Sequence, residues 1–404
     1  MIVTTAALAL ALAACGPQAQ DTTLVVSSDP ELRVQVSELL PDLASRARME
    51  LVRPVRVERR SREQLESYLL FKLDQDLPPE EARRLARTYS LVGLVEEDLD
   101  LRELLISVYR EQVAGFYDPD STALFVMDDM PVETLQGVLV HELVHAVQDQ
   151  TANLDSLTAE ERGNDRQAAA QSAIEGHATL VMLEYMMEQM RGEPVDFSEL
   201  PNLSETLGPA LEAMRTQYPA LAAAPTIVQE ALLFPYLEGS SFVSALWTAQ
   251  EGRPAPFGEH LPQSTEQIMN PDRAFGESVD SPTELALETP PGFESLYGNV
   301  FGQAELSVLL QEHLGPEGRS LARGWDGDRY ALLRTPRGAE GLVWVSVWDS
   351  VEERDRFLQG FGPALPQMLL PATLEPMEIL DRPGAVLRVG IGEDVPVQVR
   401  EGAS

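Results

Sequence analysis

A helix that is apolar on nearly every side has only one place in a folded chain, the interior. The run GVLVHELVHAVQDQ, residues 137–150, predicts such a helix, yet His141, Glu142 and His145 sit within it. Ionisable side chains are costly in an apolar setting unless something compensates them. Two histidines four residues apart stand one above the other on a helix face, so both rings can reach one ion, and Glu142 lies beside them. With five histidines in 404 residues, chance supplies this His-Glu-x-x-His pattern about 0.006 times per chain. A divalent cation is the compensation the pattern calls for.

Catalytic zinc needs a third protein ligand and an open fourth position. A metzincin would continue with Gly at 148 and His at 151; Gln148 and Thr151 stand there, which excludes that class. Glu175 is the leading third ligand. It lies in a helix expected over 165–190, among Ala168, Ser172, Ala178 and Met182, where a lone carboxylate needs an opposite charge. Gly176 and Ala178 would let this helix approach the first closely. Asp165 is the alternative ligand, 20 residues after His145 as in thermolysin-like enzymes, although its place near a helix start also suits an N-cap. His177, two residues from Glu175, faces away and reads as a supporting or surface group. Asp149 and Gln150 could hydrogen-bond a ligand histidine or cap the helix end. His260 and His313 read as surface residues. The run Trp325, Asp326, Gly327, Asp328 reads as a tight turn, with a calcium site as the alternative.

Along the chain, Ser28-Asp29-Pro30 predicts a helix start with Pro at the first helical position. Residues 51–58 read as a strand, and Ser61 with Gln64 as a capping box opening the next helix. Helices are expected over 78–89 and 101–115, then a turn and the β-prone run Leu124 to Met127. Pro131 should open the helix that carries His141. Beyond the helix at 165–190, others are expected at 203–217, 224–235 and 239–250. Residues 276–296, rich in Pro, Ser and Glu, suit a linker. A helix near 303–314, β-like runs at 330–335, 342–348 and 384–392, and a helix at 350–361 complete the pattern. The expected fold class is α+β. A mostly helical domain with a small edge sheet occupies 28–275, and a small α+β domain 297–404.

The net charge of −35 offers nothing to neutralise phosphates, which excludes nucleic acid as a partner. Lys72 is the only lysine and Cys15 the only cysteine, so no internal disulfide can form. Residues 1–14 contain an apolar stretch too short to span a bilayer, and it ends in Leu12-Ala13-Ala14-Cys15-Gly16. This resembles a bacterial lipoprotein signal, although Met1 to Thr5 carries no positive charge. The resemblance implies cleavage before Cys15, lipidation of Cys15, a tether over 15–27, and attachment to a membrane of the bacterial envelope, facing outside the cytoplasm.

A His-Glu-x-x-His helix followed by a Glu on a second helix resembles the gluzincin group of zinc metallopeptidases. The segments AGFYDP, LFVM, HELVHAVQDQ, IEGHAT, FPYLEGSSFV, STEQIMNP and GWDGD further resemble a poorly characterised family of bacterial metallopeptidase-like proteins, often lipoproteins. The likeness spans roughly residues 50–350, with only the metal-binding segments strongly specific. Where that family often has a histidine in its STEQ segment, this chain has Asn270. The resemblance implies a zincin-like fold, with Zn2+ held by His141, His145 and Glu175. Water activated at the zinc would hydrolyse a peptide or protein substrate, with Glu142 as general base. Tyr236 is the candidate oxyanion donor. Phe125 and its neighbours are expected to form an edge strand against which an extended substrate could pair. Two other classes compete: a zinc-containing envelope lipoprotein that binds without turnover, and an assembly factor in which the metal staples two helices. Neither needs a base beside an open metal position, and the sequence leaves the oligomeric state unspecified.

The lipobox generates the first expectation. Cys15→Ala protein should no longer partition with membranes; acyl labelling that persists in the variant would refute attachment through that thiol.

Overall fold

Asp29 begins the first helix by accepting the backbone N–H groups of Glu31 and Leu32 at 2.9 and 3.2 Å, with Pro30 at the first helical position. Ser61 and Gln64 form the expected capping box at the second. The computed structural model describes residues 24–130, 132–159, 162–197, 208, 217–276 and 279–402, and the chain is α+β. Cys15, most of the tether, Pro131 and nearly all of the helix expected at 203–217 lie outside the described residues. The helices are α1 (Pro30–Arg46), α2 (Arg62–Asp76), α3 (Pro79–Leu91), α4 (Leu101–Gln112), α5 (Val132–Ala152), α6 (Leu154–Leu157), α7 (Asn164–Arg191), α8 (Pro219–Ala223), α9 (Thr226–Ala249), α10 (Thr265–Met269), α11 (Gly302–Leu314) and α12 (Val351–Phe361). Among the described residues no helix is long and apolar enough to cross a membrane.

A four-stranded sheet lies beside α5. Its strands are β1 (Val25–Val26), β2 (Val55–Arg60), β3 (Gly115–Asp118) and β4 (Ala123–Met127), in the order β1-β2-β4-β3. β2 and β4 run parallel; β3 and β4 form an antiparallel hairpin. Every residue of β4 is buried. The strand of Phe125 is therefore internal, and the edge belongs to β3, where the sequence suggested only a turn. The reason is in the composition: Ala-Leu-Phe-Val-Met is a continuous apolar run, the mark of a strand covered on both faces, whereas in Gly-Phe-Tyr-Asp the first three residues stay partly exposed.

The helices at 224–235 and 239–250 are a single helix, α9, which continues through Pro235. Its closest neighbour is α7. A Cβ built on Gly176 would lie 2.1 Å from the Gly239 carbonyl carbon, and one on Gly239 would lie 2.1 Å from the Ser172 oxygen. The two backbones therefore touch, which only glycine at both positions permits. Gly176 serves this contact and not, as its sequence position suggested, the approach to α5. Leu139, Leu143 and Val147 of α5, with Val181 of α7, Phe242 and Val243 of α9 and Leu40 and Leu43 of α1, form one apolar core.

The C-terminal part is a five-stranded antiparallel sheet in the order β6-β7-β8-β10-β9, built from β6 (Glu294–Asn299), β7 (Trp325–Arg334), β8 (Glu340–Trp348), β9 (Ala372–Ile379) and β10 (Arg382–Val389). β9 and β10 are joined by Leu380 and Asp381, both at positive φ (51° and 61°), as a two-residue hairpin of type I′ requires. One face of the sheet carries α11 and α12. Its core there also takes in Ala86 and Tyr89 of α3 and Ile227 and Val228 of α9. The other face is covered by a ribbon of β5 (Leu285–Leu287) and β11 (Val399–Glu401). The stretch 276–296 thus contributes β5 and the start of β6 instead of running as an irregular linker.

The α7–α9 contact makes a sharp stability test. Gly239→Ala forces its methyl group into the Ser172 carbonyl, and the cost should be about 1–3 kcal/mol or more. Thermal unfolding unchanged from wild type would show that the two backbones can separate freely.

Candidate metal centre

Two helices bring the ionisable residues together. His141 and His145 project from successive turns of α5, their rings 4.7 Å apart and nearly perpendicular. Glu175 reaches them from α7. Its Oε2 lies 3.0 Å from His141 Nε2 and 3.3 Å from His145 Nε2, and the two Nε2 atoms are 3.0 Å apart. An ion with tetrahedral bonds of about 2.0–2.1 Å holds its ligand atoms about 3.3 Å from one another, so this donor set suits one shared cation such as zinc. Two nitrogens and a carboxylate oxygen are also zinc's usual ligands, and three of them leave a fourth position free.

The electrostatics point the same way. Burial works against the Glu175 carboxylate, yet the adjacent histidines hold it well below the ordinary glutamate range. Burial also works against a charged His145, but Glu175 and Glu142 draw its pKa up to about 9. The cluster draws positive charge, which a proton on His145 supplies and which a divalent ion would supply in its place.

Side chains around the cluster fix its members. Gln171 donates to Glu175 Oε1 at 2.8 Å, leaving Oε2 turned to the histidines. The Gln148 carbonyl oxygen lies 2.8 Å from His145 Nδ1, and its amide nitrogen bonds the Ile174 carbonyl and His177 Nδ1 at 3.0 and 3.1 Å. Gln148 was not singled out from sequence, although a position one turn after His145 is where such a partner must sit. The expected partners serve elsewhere. Asp149 accepts from the Tyr117 hydroxyl, Arg53 and the Leu154 N–H, and Gln150 accepts the N–H groups of Val52 and Arg53.

Glu142 stands outside the donor cluster, half-buried, and its Oε2 accepts the Tyr117 backbone N–H at 2.8 Å. β3 can lie this close because Gly115 has no side chain; a Cβ there would meet Val138 at 2.7 Å. Tyr236 also reaches the centre, its ring 6.0 Å from that of His141. It lies three residues before Gly239 on α9, so the glycine crossing that brings α9 onto α7 also carries Tyr236 to Glu175. The Glu175 carboxylate, with burial, raises the Tyr236 phenol well above its ordinary value and keeps it a proton donor.

The remaining candidates lie apart from the cluster. Asp165 bonds the Thr265 N–H and hydroxyl and fills the space a side chain at Gly302 would need, so it joins α7 to α10 and α11 and is no ligand to this centre. His177 is fully buried, touches the centre only through Gln148, and burial lowers its pKa to about 3. His260 has Glu259 as its charged neighbour at 3.9 Å. His313 is not a free surface group; it hydrogen-bonds the Val92 carbonyl at 2.7 Å. Trp325 to Asp328 open β7 with a bulge and form no tight turn. Asp328 there caps α11 through the N–H groups of Phe301 and Gly302. Asp326 lies near Asp280 and Asp349; Arg273 pairs with Asp280 and Asp349, and Arg382 pairs with Asp326. Asn270 bonds Gln303, linking α10 to α11.

Residues 293–374 match a domain of unknown function, DUF8575. No curated protein and no solved structure matches the chain. The match covers β6 through the start of β9 and contains none of the clustered residues.

Asp165 supplies a pH test independent of the metal. Burial lifts its carboxyl to about 7, against the Thr265 hydrogen bonds that lower it. A carboxyl raised on folding leaves the protein most stable below the unfolded pKa near 4, and that advantage is lost as pH rises towards 7. In chelator-treated protein, Asp165→Asn should flatten the fall in urea midpoint between pH 5 and 7. A slope the same as wild type would show that Asp165 is ionised throughout.

Proposed function

We propose that the chain is a zinc-dependent metallopeptidase of gluzincin type. It would have a zincin-like N-terminal region and be held at the outside of a bacterial membrane by lipidated Cys15. One observation carries the reading. Three metal-suited donors converge while Glu142, next to one of them in sequence, stays out of the cluster with its carboxylate close by. A purely structural zinc site closes its coordination with protein ligands and has no use for such a base.

His141, His145 and Glu175 hold the zinc, which supplies Lewis-acid polarisation and makes water more acidic. Glu142 takes a proton from water as its oxygen adds to the scissile carbonyl carbon. It gives that proton to the departing amine nitrogen as the C–N bond breaks. Tyr236, kept protonated, donates its hydroxyl hydrogen to the oxygen that becomes negative. The substrate is a peptide or protein, and β3, the edge strand whose Tyr117 N–H holds Glu142, suits an extended segment along its other backbone groups. The acidic chain has no nucleic-acid partner in this reading.

Protein lacking residues 1–15 should bind one zinc per chain, and His141→Ala or Glu175→Ala should lose it by elemental analysis. Glu142→Gln should keep zinc and fold but lose about 10²–10⁴ of the peptide-hydrolysis rate. Equal cleavage by Glu142→Gln and wild type at matched zinc content would remove Glu142 from the mechanism. Absence of zinc from the wild type would remove the reading itself.

A further inference from the structure

We propose that Gln148 is the positioning residue that sets the metal-binding tautomer of His145, and that the backbone of the other ligand helix dictates this choice. The inference rests on the zinc reading above and concerns residues that the reading does not need.

The chain of constraint begins at the Ile174 carbonyl, which can only accept. The Gln148 amide atom 3.0 Å from it must therefore be the nitrogen, because the reverse orientation would set two oxygens against each other. The Gln148 oxygen is then fixed opposite His145 Nδ1 at 2.8 Å, and an oxygen there requires Nδ1 to carry the proton. His145 Nε2 is left with its lone pair, and Nε2 is the atom facing His141 and Glu175. The second amide hydrogen of Gln148 goes to His177 Nδ1 at 3.1 Å, which closes off rotation of the amide. Gln148 and His177 are both fully buried, so no water competes for these bonds.

The geometry has a further property. Ile174 immediately precedes Glu175, so one turn of α7 supplies both a donor atom to the cluster and the carbonyl that orients the facing histidine. The two helices must be in register for both to occur. His177, packed edge-on against Trp247 and Phe257 at ring distances of 5.9 and 6.0 Å, is held in place by groups remote from the metal. It therefore acts as a fixed acceptor behind Gln148.

Glutamate at 148 separates this proposal from a simpler one in which His145 needs only an acceptor. A carboxylate could accept from Nδ1 and would make the imidazole a more basic ligand. It could not donate to Ile174 or His177, and one oxygen would face the Ile174 carbonyl. Gln148→Met fills similar volume with no hydrogen bond.

The experiment measures zinc affinity of the protein lacking residues 1–15 by chelator competition, together with the visible spectrum of the cobalt-substituted form. Gln148→Met and Gln148→Glu should each weaken zinc binding about 10–100-fold and alter the cobalt spectrum, with far-ultraviolet circular dichroism unchanged. His177→Leu should weaken binding less, and the double variant His177→Leu/Gln148→Met should be no weaker than Gln148→Met alone, as one linked unit requires. His177→Gln restores an acceptor and should recover part of the loss. Wild-type zinc binding with Gln148→Met unchanged in affinity and spectrum overturns the proposal and leaves the zinc reading standing. Gln148→Glu binding as tightly as wild type overturns the part assigned to Ile174. If Gln148→Met fails to fold, Gln148→Glu and His177→Leu carry the same decision.

Discussion

A carboxylate buried between two imidazoles is the interaction on which the rest of the N-terminal part depends. Glu175 cannot remain ionised in an apolar core without positive charge within a few ångströms, and His141 and His145, 3.0 and 3.3 Å from its carboxylate, are the groups placed to meet that demand. Satisfying it fixes the distance and register of α5 against α7. The apolar residues of α5 supply the attraction, but hydrophobic contact alone tolerates sliding. The polar cluster does not. Gln148 and Gln171 then tie each half of the cluster to its own surroundings, so that orientation as well as position is set.

The second constraint is steric. Gly176 and Gly239 allow α9 to lie directly on α7, and this contact decides which residues of α9 face the centre. Tyr236 arrives there because it is one turn from Gly239. Gly115 does the same for β3, bringing the Tyr117 N–H to Glu142. Three absent side chains thus determine what surrounds the charged cluster.

What the sequence disclosed, and what it hid, follows from the range of the forces involved. The two histidines and Glu142 were legible because helical spacing is a local property, and the caps at Asp29 and Ser61 for the same reason. Glu175 was legible as a charge misplaced in an apolar helix. The partner of Gly176 was not, since a glycine announces close approach but not the direction from which the neighbour comes. Gln148 carried no signal of its own, since its bonds to Ile174 and His177 exist only once two helices are packed. β4 was expected at an edge because its second neighbour, β2, is drawn from a much earlier part of the chain, and β3 was hidden in what reads as a turn. The β5–β11 ribbon escaped notice because its two strands lie at opposite ends of the C-terminal part.

Asp165 has a consequence for the order in which the chain can assemble. Its carboxylate is seated by Thr265, 100 residues later, and in the space left by Gly302, later still. During synthesis from the N-terminus, α5 and the whole of α7 are made before either group exists. The first turn of α7 must then wait with an unplaced acid that burial disfavours while ionised. The packing of the first turn of α7 is therefore complete only when α10 and α11 have arrived. A nascent chain stopped before residue 265 would hold the clustered residues but lack the anchor that finishes the helix carrying one of them.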